Sequence, residues 1–237
     1  MPTTFLKKLK NIQGAIPSMQ CNIVPSSFEP DDASMLAFPL PLSWQWNSCE
    51  KFLRERPARI VLTRLPLFWQ LEILLHDACK AVGVPLFIGS PQNTPLDGAA
   101  IVAMNIDTVV TSAEDTASFL THLSNRTIAL PKNWLIVYTP EQSWDIPSAF
   151  LSANVQVYGE MHLFPGIVIL RQCTHAVASR KPHFHVSDGV RVDTRRSGSY
   201  LTIDKELPLS ITDLELPFSL RTNGICACGR ELVEKIS

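Results

Sequence analysis

The sequence predicts an α/β protein, in which a small, doubly wound and mainly parallel sheet with helices is followed by a β-rich subdomain. Two observations carry this prediction. Between residues 58 and 150, short apolar runs alternate with segments of helical periodicity, as in strand–helix–strand units. After about residue 150 the pattern changes to short strands, and helices nearly vanish. We therefore divide the chain into residues 1–57, 58–150 and 151–237.

The first of these parts, residues 1–57, is rich in proline and has little sustained periodicity. We expect an irregular arm, because proline interrupts both helices and strands. A short helix at Phe5–Ile12 is the exception, and Trp44, Trp46 and Phe52 mark the place where the arm docks.

The α/β part opens with a strand–helix–strand unit. Arg59–Leu62 predicts a strand, and Pro66 opens a helix whose apolar residues recur every three or four positions as far as Val82. Gly83 ends that helix, and Val84–Ile88 predicts the second strand. A crossover of this length joins two parallel neighbours by a right-handed connection.

The same alternation continues to about residue 138. A helix around Leu96–Met104 leads to a strand at Thr108–Val110. Ser112 then caps a helix through His122, because a serine hydroxyl at this position accepts a hydrogen bond from a free backbone N–H. Trp134–Tyr138 predicts the next strand.

The third part, residues 151–237, is predicted to consist of short strands separated by turns. The predicted strands are Val155–Tyr158, Ile167–Leu170, His183–Val192, Tyr200–Ile203, Leu209–Thr212 and Pro217–Leu220.

Composition excludes some classes of function. The 237 residues carry 21 basic and 22 acidic side chains, so no excess of positive charge favours the binding of nucleic acid. Apolar stretches are too short for a membrane span and the N-terminus lacks a secretory core, so we expect a cytoplasmic protein. Charged residues make up only 18%, below the usual proportion of about 25%, which indicates a face covered by a protein partner or a second copy.

The cysteines indicate a metal site. In a reducing compartment thiols bind metals or are simply buried. In an extended Cys226–Arg230 segment, Cys226 and Cys228 would share one face. A tetrahedral zinc site needs two more donors, and Cys173, His175, His183 and His185 are the candidates in this half. Our preferred set for a structural zinc is Cys173, His185, Cys226 and Cys228.

Motifs for nucleophilic catalysis and phosphate binding are missing. No Gly-x-Ser-x-Gly elbow is present, and with only ten glycines the chain has neither Gly-x-Gly-x-x-Gly nor Gly-x-x-x-x-Gly-Lys-Ser/Thr. We therefore assign no catalytic residue.

Several fragments, in order, resemble the adenylate-forming (acyl-CoA synthetase, luciferase) superfamily, and within it the phenylacetate-CoA ligase-like branch. The fragments are Tyr158-Gly159, Cys173, His185–Asp188, Leu209–Leu214, Pro217, Arg221-Thr222 and Cys226–Arg230. The resemblance implies that residues 58–150 form a Rossmann-like subdomain and that Tyr158, Gly159 and Arg221 belong to a remnant nucleotide-binding cleft. Some members of the branch hold a structural zinc with this cysteine and histidine set.

The sequence also departs from the family pattern. The Ser/Thr/Gly-rich phosphate loop has no counterpart, and Met161 and His162 replace the Thr and Glu that follow Tyr-Gly. Gly224 stands where the family has its ribose-binding Asp. The printed chain reaches Ser237 without the domain that brings the catalytic Lys. We therefore expect that ATP and AMP are not used for chemistry.

These observations predict a truncated, degenerate adenylate-forming domain that acts as a non-catalytic binding or accessory subunit stabilised by zinc. An acyl or aryl acid is its expected ligand, in the cleft around Tyr158. The alternative is an acyl- or aryl-acid adenylating ligase or acyltransferase completed by a second chain, with His162 and Arg221 replacing the lost contacts. A third hypothesis is a zinc-stabilised interaction module whose likeness to the family is architectural.

Overall fold

The computed structural model describes residues 21–25, 35–39, 50, 52–65, 70–140, 142, 144, 146–152, 155–162, 168–178, 183–203 and 211–236. The predictions at Phe5–Ile12, Trp44, Trp46 and Pro66 lie outside these residues. In the arm, Cys21–Pro25 (β1) and Met35–Pro39 (β2) form an antiparallel pair that the sequence pattern did not indicate. Phe52, by contrast, packs in the core as the docking prediction requires.

The elements of the first half follow the predicted order, with bounds shifted by a few residues. They are β3 (Val61–Thr63), α1 (Gln70–Val82), β4 (Leu86–Ile88), a 3₁₀ turn (Pro91–Asn93), α2 (Thr94–Met104), β5 (Thr108–Ser112), α3 (Ala113–Asn125) and β6 (Asn133–Tyr138).

In the described residues of the second half, two short helices lie among the strands. The elements are α4 (Ser148–Ser152), β7 (Gln156–His162), β8 (Val168–Arg171), α5 (Thr174–Ala178), β9 (His185–Val186), β10 (Val190–Arg195), β11 (Gly198–Ile203), β12 (Ile211–Glu215), β13 (Ser219–Ile225) and β14 (Glu231–Ile236).

A seven-stranded sheet forms the centre, in the order β4-β3-β5-β6-β7-β8-β9. Its strands from β4 to β7 are parallel, and β8 and β9 are antiparallel additions. Helices flank this mainly parallel sheet and smaller antiparallel sheets follow it, so the predicted fold class is confirmed. The sheet runs without interruption across residue 150, where we placed a division on sequence grounds.

The central strands are buried on both faces, which explains their uninterrupted apolar sequences. On one face Trp134 and Ile136 of β6 pack with α2 and α3, while on the other face Leu135 and Val137 pack with α1. At the start of α3, the Ser112 hydroxyl accepts a hydrogen bond from the Asp115 N–H at 3.3 Å, as the capping prediction requires.

The strand predicted at His183–Val192 is two strands. β9 pairs with β8 in the central sheet, whereas β10 pairs with β11 in a separate three-stranded sheet. The chain turns between them at Gly189, whose φ of +76° favours glycine. A period-two alternation of apolar residues does not show where the chain changes from one neighbouring strand to another. The prediction of one strand was therefore wrong.

The hairpin of β13 and β14 was not predicted as a unit. It is joined to the central sheet through Phe184, which exchanges two backbone hydrogen bonds with Val233 of β14 at 3.0 and 2.8 Å. This attachment brings the turn of the hairpin next to β9. In the described part of the chain, no helix has both the length and the apolar character that crossing a membrane requires.

Candidate metal centre

Three separate elements supply the side chains of the cysteine and histidine cluster. Cys173 lies between β8 and α5, and His185 lies on β9, where it pairs with Arg171 of β8. Cys226 and Cys228 lie in the turn that joins β13 to β14. The Arg230 guanidinium donates to the Val186 carbonyl at 2.7 Å and so holds this turn against β9.

The Cys226–Arg230 segment is a tight turn and not the extended segment that we predicted. The Gly229 N–H donates to the Cys226 carbonyl, and the Cys226 N–H donates to the Arg230 carbonyl, both at 2.8 Å. Antiparallel strands need a chain reversal between them, and Gly229 supplies it with a φ of +84°. The turn, rather than strand alternation, places both sulfurs on one side.

The four donor atoms of Cys173, His185, Cys226 and Cys228 lie within 4.8 Å of one another. The Cys173 and Cys226 sulfurs are 3.6 Å apart, and His185 Nε2 is 3.2 and 3.5 Å from the Cys173 and Cys228 sulfurs. A tetrahedral zinc ion would separate two sulfurs by about 3.8 Å and a sulfur from a nitrogen by about 3.6 Å. The donors therefore stand close to the positions that such an ion requires.

The imidazole of His185 is oriented for metal binding. Its Nδ1 is 2.6 Å from the Glu231 carbonyl oxygen, and because a carbonyl only accepts, Nδ1 carries the proton. The lone pair of Nε2 is then directed at the sulfurs, an arrangement typical of histidine ligands. Burial lowers the pKa of His185, with further lowering from the Arg230 and Arg171 charges, against an opposing effect of the Glu231 carbonyl.

The cysteine side chains are free thiols with different surroundings. Burial raises the pKa of Cys173 to about 11, as do its contacts with Cys226 and Cys228. Burial also acts to raise the pKa of Cys228, but hydrogen bonds from the Arg230 backbone and from the other two thiols leave it lowered. The gap of 3.6 Å between the Cys173 and Cys226 sulfurs is far longer than a disulfide bond of about 2.0 Å.

The other histidines of this half, at 162, 175 and 183, lie outside the cluster. His175 is exposed on α5. His183 Nε2 is 3.0 Å from the Asn223 amide nitrogen and 3.6 Å from Glu234 Oε2. His162, on β7, is wholly buried with Nε2 at 3.2 Å from Glu160 Oε2.

The three residues assigned to a remnant nucleotide cleft lie on two different strands. Tyr158 and Gly159 are buried on β7, where a Cβ on Gly159 would lie only 3.0 Å from the Phe184 ring. Arg221 lies on β13, where its side chain is 65% exposed and pairs with Glu234.

Tyr158 lines a cavity of about 400 Å³ near the start of β7. The cavity is lined by Glu55, Arg56, Ile146, Phe150, Val155, Gln156, Val157, Tyr158, Thr174 and Val177. Arg56, Glu55 and Tyr158 also line a smaller cavity of about 60 Å³, which reaches Cys173 and His185 of the metal centre.

No pattern in the sequence marks Arg56 as a candidate functional residue. Its guanidinium carbon lies 3.2 Å from the centroid of the Tyr158 ring and 5.2 Å from that of Phe52. One arginine in an arm without periodicity carries no signal, because only the tertiary fold brings it to Tyr158.

A second buried arginine was also missed. Arg64 follows β3 and donates from Nε and Nη2 to both carboxylate oxygens of Asp115 at 2.7 and 2.9 Å, and from Nη1 to Asp97. Burial raises the pKa of Asp97, while the Ser90 N–H and Arg64 act in the opposite direction. The two carboxylates come from α2 and α3, so no sequence motif contains them.

Comparison with known proteins was made by sequence and by structure. No protein-family profile matches the chain, and no curated protein matches it in sequence. Among solved structures it is similar to 2-hydroxyisobutyryl-CoA ligase in an open conformation with 2-HIB-AMP and CoA. The TM-score is 0.68 at 10% identity, over 97% of this chain and 61% of the ligase chain.

Two further solved structures have the same fold. The amide bond synthetase McbA from Marinactinospora thermotolerans gives a TM-score of 0.58 at 13% identity, over 84% of this chain and 45% of its own. A double mutant of o-succinylbenzoate CoA synthetase (MenE) from Bacillus subtilis gives a TM-score of 0.58 at 8% identity, over 85% of this chain and 46% of its own. The chain therefore has the fold found in adenylate-forming ligases and spans about half to three fifths of their length.

Proposed function

We propose that this chain is a non-catalytic binding or accessory subunit, derived from the phenylacetate-CoA ligase-like branch of the adenylate-forming proteins and stabilised by one structural zinc ion. The observation that carries the proposal is the convergence of Cys173, His185, Cys226 and Cys228 from three separate elements. Four donors that fold from distant parts of a chain to one point are expected of a structural metal site.

The chemistry of the donors favours zinc. Three thiolates and one imidazole in tetrahedral arrangement are typical of zinc, whereas magnesium and calcium prefer oxygen ligands. A bound zinc ion would link the β13–β14 turn to β9 and to the start of α5. Because four protein ligands complete its coordination, the ion would act on stability and not on a substrate.

Loss of adenylation is supported by the residues that follow Tyr158-Gly159. In place of the family's Thr and Glu the chain has Met161 and His162, and both side chains are wholly buried. Neither offers a hydroxyl or a carboxylate to a phosphate-bound Mg²⁺ ion. Glu160 is buried beside His162, with Oε2 at 3.2 Å from His162 Nε2.

A protein partner or a second copy of the chain is supported by the surface of α2. The exposed residues of this helix are all uncharged, and the large apolar ones include Leu96 and Val102, with Ile88 exposed on the neighbouring edge strand β4. Apolar surface of this kind is typical of interaction sites. The free thiols of the metal centre favour a reducing compartment such as the cytoplasm.

The test is an adenylation assay on the whole chain as purified, with its metal. The protein is mixed with ATP, Mg²⁺ and a panel of aryl and fatty acids, and pyrophosphate is measured beside an active acyl-CoA ligase as positive control. We expect no pyrophosphate above a protein-free blank. Acid-dependent pyrophosphate release by this chain would overturn the non-catalytic assignment.

A further inference from the structure

The cluster of Cys173, His185, Cys226 and Cys228 is not sealed from solvent. Of its three cysteines, Cys228 is exposed, Cys173 is half-buried and Cys226 is buried. Cysteines that react with dissolved reagents are at least partly exposed, whereas buried structural cysteines are inert. The Cys228 sulfur is therefore the one that a small oxidant in solution meets first.

A small cavity lies beside the cluster. Cys173 and His185 line this space of about 60 Å³, and its lining also includes Arg171 and Arg230. A volume of this size admits molecules as small as water. Hydrogen peroxide and the water formed from it therefore have room next to the Cys173 sulfur without a change of fold.

The Cys228 sulfur has two possible thiol partners, because all four donor atoms lie within 4.8 Å of one another. A bond to Cys226 would close a small ring inside one turn, which two backbone hydrogen bonds of 2.8 Å already fix. Cys173 belongs to a separate element, 55 positions earlier in the chain, so no such ring restricts it. Disulfide bonds need a sulfur–sulfur distance of about 2.0 Å, which the exposed Cys228 side chain can reach by rotation towards Cys173.

We propose that the cluster is a redox-sensitive zinc site, at which hydrogen peroxide joins Cys173 and Cys228 in a disulfide bond and releases the zinc ion. The inference deepens the proposed function and rests on it for the zinc ion. It adds a regulated state to a site whose only role so far is stability.

The chemistry takes two steps. The Cys228 thiolate attacks one oxygen of hydrogen peroxide, so an S–O bond forms, the O–O bond breaks and hydroxide leaves. The Cys173 thiolate then attacks the Cys228 sulfur, so an S–S bond forms and the S–O bond breaks with loss of a second hydroxide. The two sulfurs lose two electrons to the peroxide, and two protons from the solvent neutralise the two hydroxide ions.

Oxidation changes the attachment of the β13–β14 hairpin. Cys226 and His185 alone remain as donors, and a structural zinc ion needs four. The new disulfide keeps the turn of the hairpin beside the start of α5, whereas the link to β9 through His185 is lost. A dithiol reduces the disulfide, after which the four donors can bind zinc again.

The test is exposure of the purified, zinc-containing chain to excess hydrogen peroxide. Zinc release is followed by the absorbance of the chelating dye 4-(2-pyridylazo)resorcinol, and disulfides are mapped by mass spectrometry of unreduced peptides. We expect release of about one zinc ion per chain, together with a Cys173–Cys228 disulfide, and rebinding after addition of dithiothreitol and zinc.

Three results would overturn the proposal. They are retention of zinc in peroxide, release of zinc without any disulfide among the three cysteines, and a disulfide that forms while zinc stays bound. A Cys226–Cys228 disulfide in place of the expected one would overturn the assignment of Cys173.

Variants separate the exposed thiol from the rest of the cluster. Cys228→His replaces it with an imidazole and keeps four donors, a set of two cysteines and two histidines that zinc accepts. We expect this variant to release zinc at least about tenfold more slowly in peroxide. Cys79→Ala, at a buried cysteine in α1, should release zinc as the original chain does. An unchanged rate in Cys228→His refutes the role of Cys228, and if this variant binds no zinc, the disulfide map of the original chain decides.

The two proposals can fail separately. Zinc content is measured on every sample before peroxide is added. A chain that contains zinc and keeps it in peroxide overturns this inference alone. A chain purified without zinc overturns the proposed zinc site and this inference with it.

Discussion

At the scale of single residues, buried charge is the feature that sequence reasoning finds least easily. Arg64 is wholly buried between Asp97 and Asp115, so one cation faces two carboxylates. Asp97 accepts hydrogen bonds from Arg64 and from the Ser90 N–H at Oδ2, but its buried Oδ1 has no partner among the described residues. Burial is the main cause of the raised pKa of Asp97, and the Asp115 charge adds to it, whereas the Ser90 N–H and Arg64 act to lower that pKa.

Replacement of Asp97 by Asn tests this charge balance. Because the pKa of Asp97 is higher in the folded than in the unfolded chain, the folded state holds the extra proton and stability falls as pH rises through that range. An asparagine cannot ionise. The quantity to follow is the difference in free energy of unfolding, Asp97→Asn minus the original chain, measured by urea denaturation. We expect this difference to increase as pH rises from about 4.5 to 8.

Asp115→Asn is the variant to compare with Asp97→Asn. It removes the carboxylate to which Arg64 donates two hydrogen bonds. We expect a loss of about 3 kcal/mol at neutral pH, because a buried guanidinium is left with Asp97 alone. A difference between Asp97→Asn and the original chain that does not change with pH would contradict the assigned role of Asp97.

At Gly159, close packing rather than backbone conformation excludes a side chain. A Cβ at this position would meet Phe184 at 3.0 Å and Tyr138 at 3.1 Å. We expect Gly159→Ala to cost about 1–3 kcal/mol in thermal or urea unfolding, with displaced aromatic rings reported by near-ultraviolet circular dichroism.

Gly189→Ala is the comparison for Gly159→Ala. No atom lies within 4 Å of a Cβ at Gly189, but its φ of +76° strains any other residue. We expect a cost of about 1 kcal/mol without a change in the aromatic signal. A near-ultraviolet change in Gly189→Ala and none in Gly159→Ala would contradict the packing argument.

The same contrast explains which site residues the sequence could predict. Cysteine and histidine are few in this chain, so residue type limited the candidate ligands to Cys173, the Cys226–Cys228 pair and the histidines at 175, 183 and 185, and His185 was the preferred one of the three. Arginine and aspartate are common surface residues, and only tertiary contacts distinguish Arg56 and Asp97 from the others.

At the scale of elements, local signals predicted most of the helices and central strands. The Ser112 cap and the apolar period of α1 are contained within a few residues each, so the sequence alone reveals them. The break between β9 and β10 and the pairing of β13 with β14 depend on distant partners. Phe184 bonds to Val233, 49 positions along the chain, and no local pattern reports such a contact.

The cap of α3 can be tested by Ser112→Ala. The serine hydroxyl accepts a hydrogen bond from the Asp115 N–H. This bond positions the first turn of α3, which carries the Asp115 carboxylate that binds Arg64. We expect a loss of about 1 kcal/mol in the free energy of unfolding, measured in urea. Thr121→Ala, which removes an exposed hydroxyl bonded to Ala117 inside the helix, is expected to cost less. A larger loss in Thr121→Ala than in Ser112→Ala would contradict the importance of the cap.

At the scale of the whole molecule, the central sheet holds most of the core, and Leu220 and Val233 of the β13–β14 hairpin pack in that core. The backbone bonds of Phe184 and Val233, the Arg230 contact with Val186 and the thiol–imidazole cluster join the hairpin to the elements that carry the metal centre. A metal ion in the cluster would bind together parts of the chain 12 to 55 residues apart. We therefore expect a bound zinc ion to stabilise the attachment of the hairpin.

Zinc binding is tested by measuring metal content with inductively coupled plasma mass spectrometry, on protein purified without chelator. Three samples are compared: the original chain, Cys79→Ala at a buried cysteine in α1 outside the cluster, and the double variant Cys226→Ser/Cys228→Ser. We expect about one zinc ion per chain in the first two and no stoichiometric zinc in the third. An original chain without stoichiometric zinc, or a double variant that retains it, would contradict a structural zinc site at these cysteines.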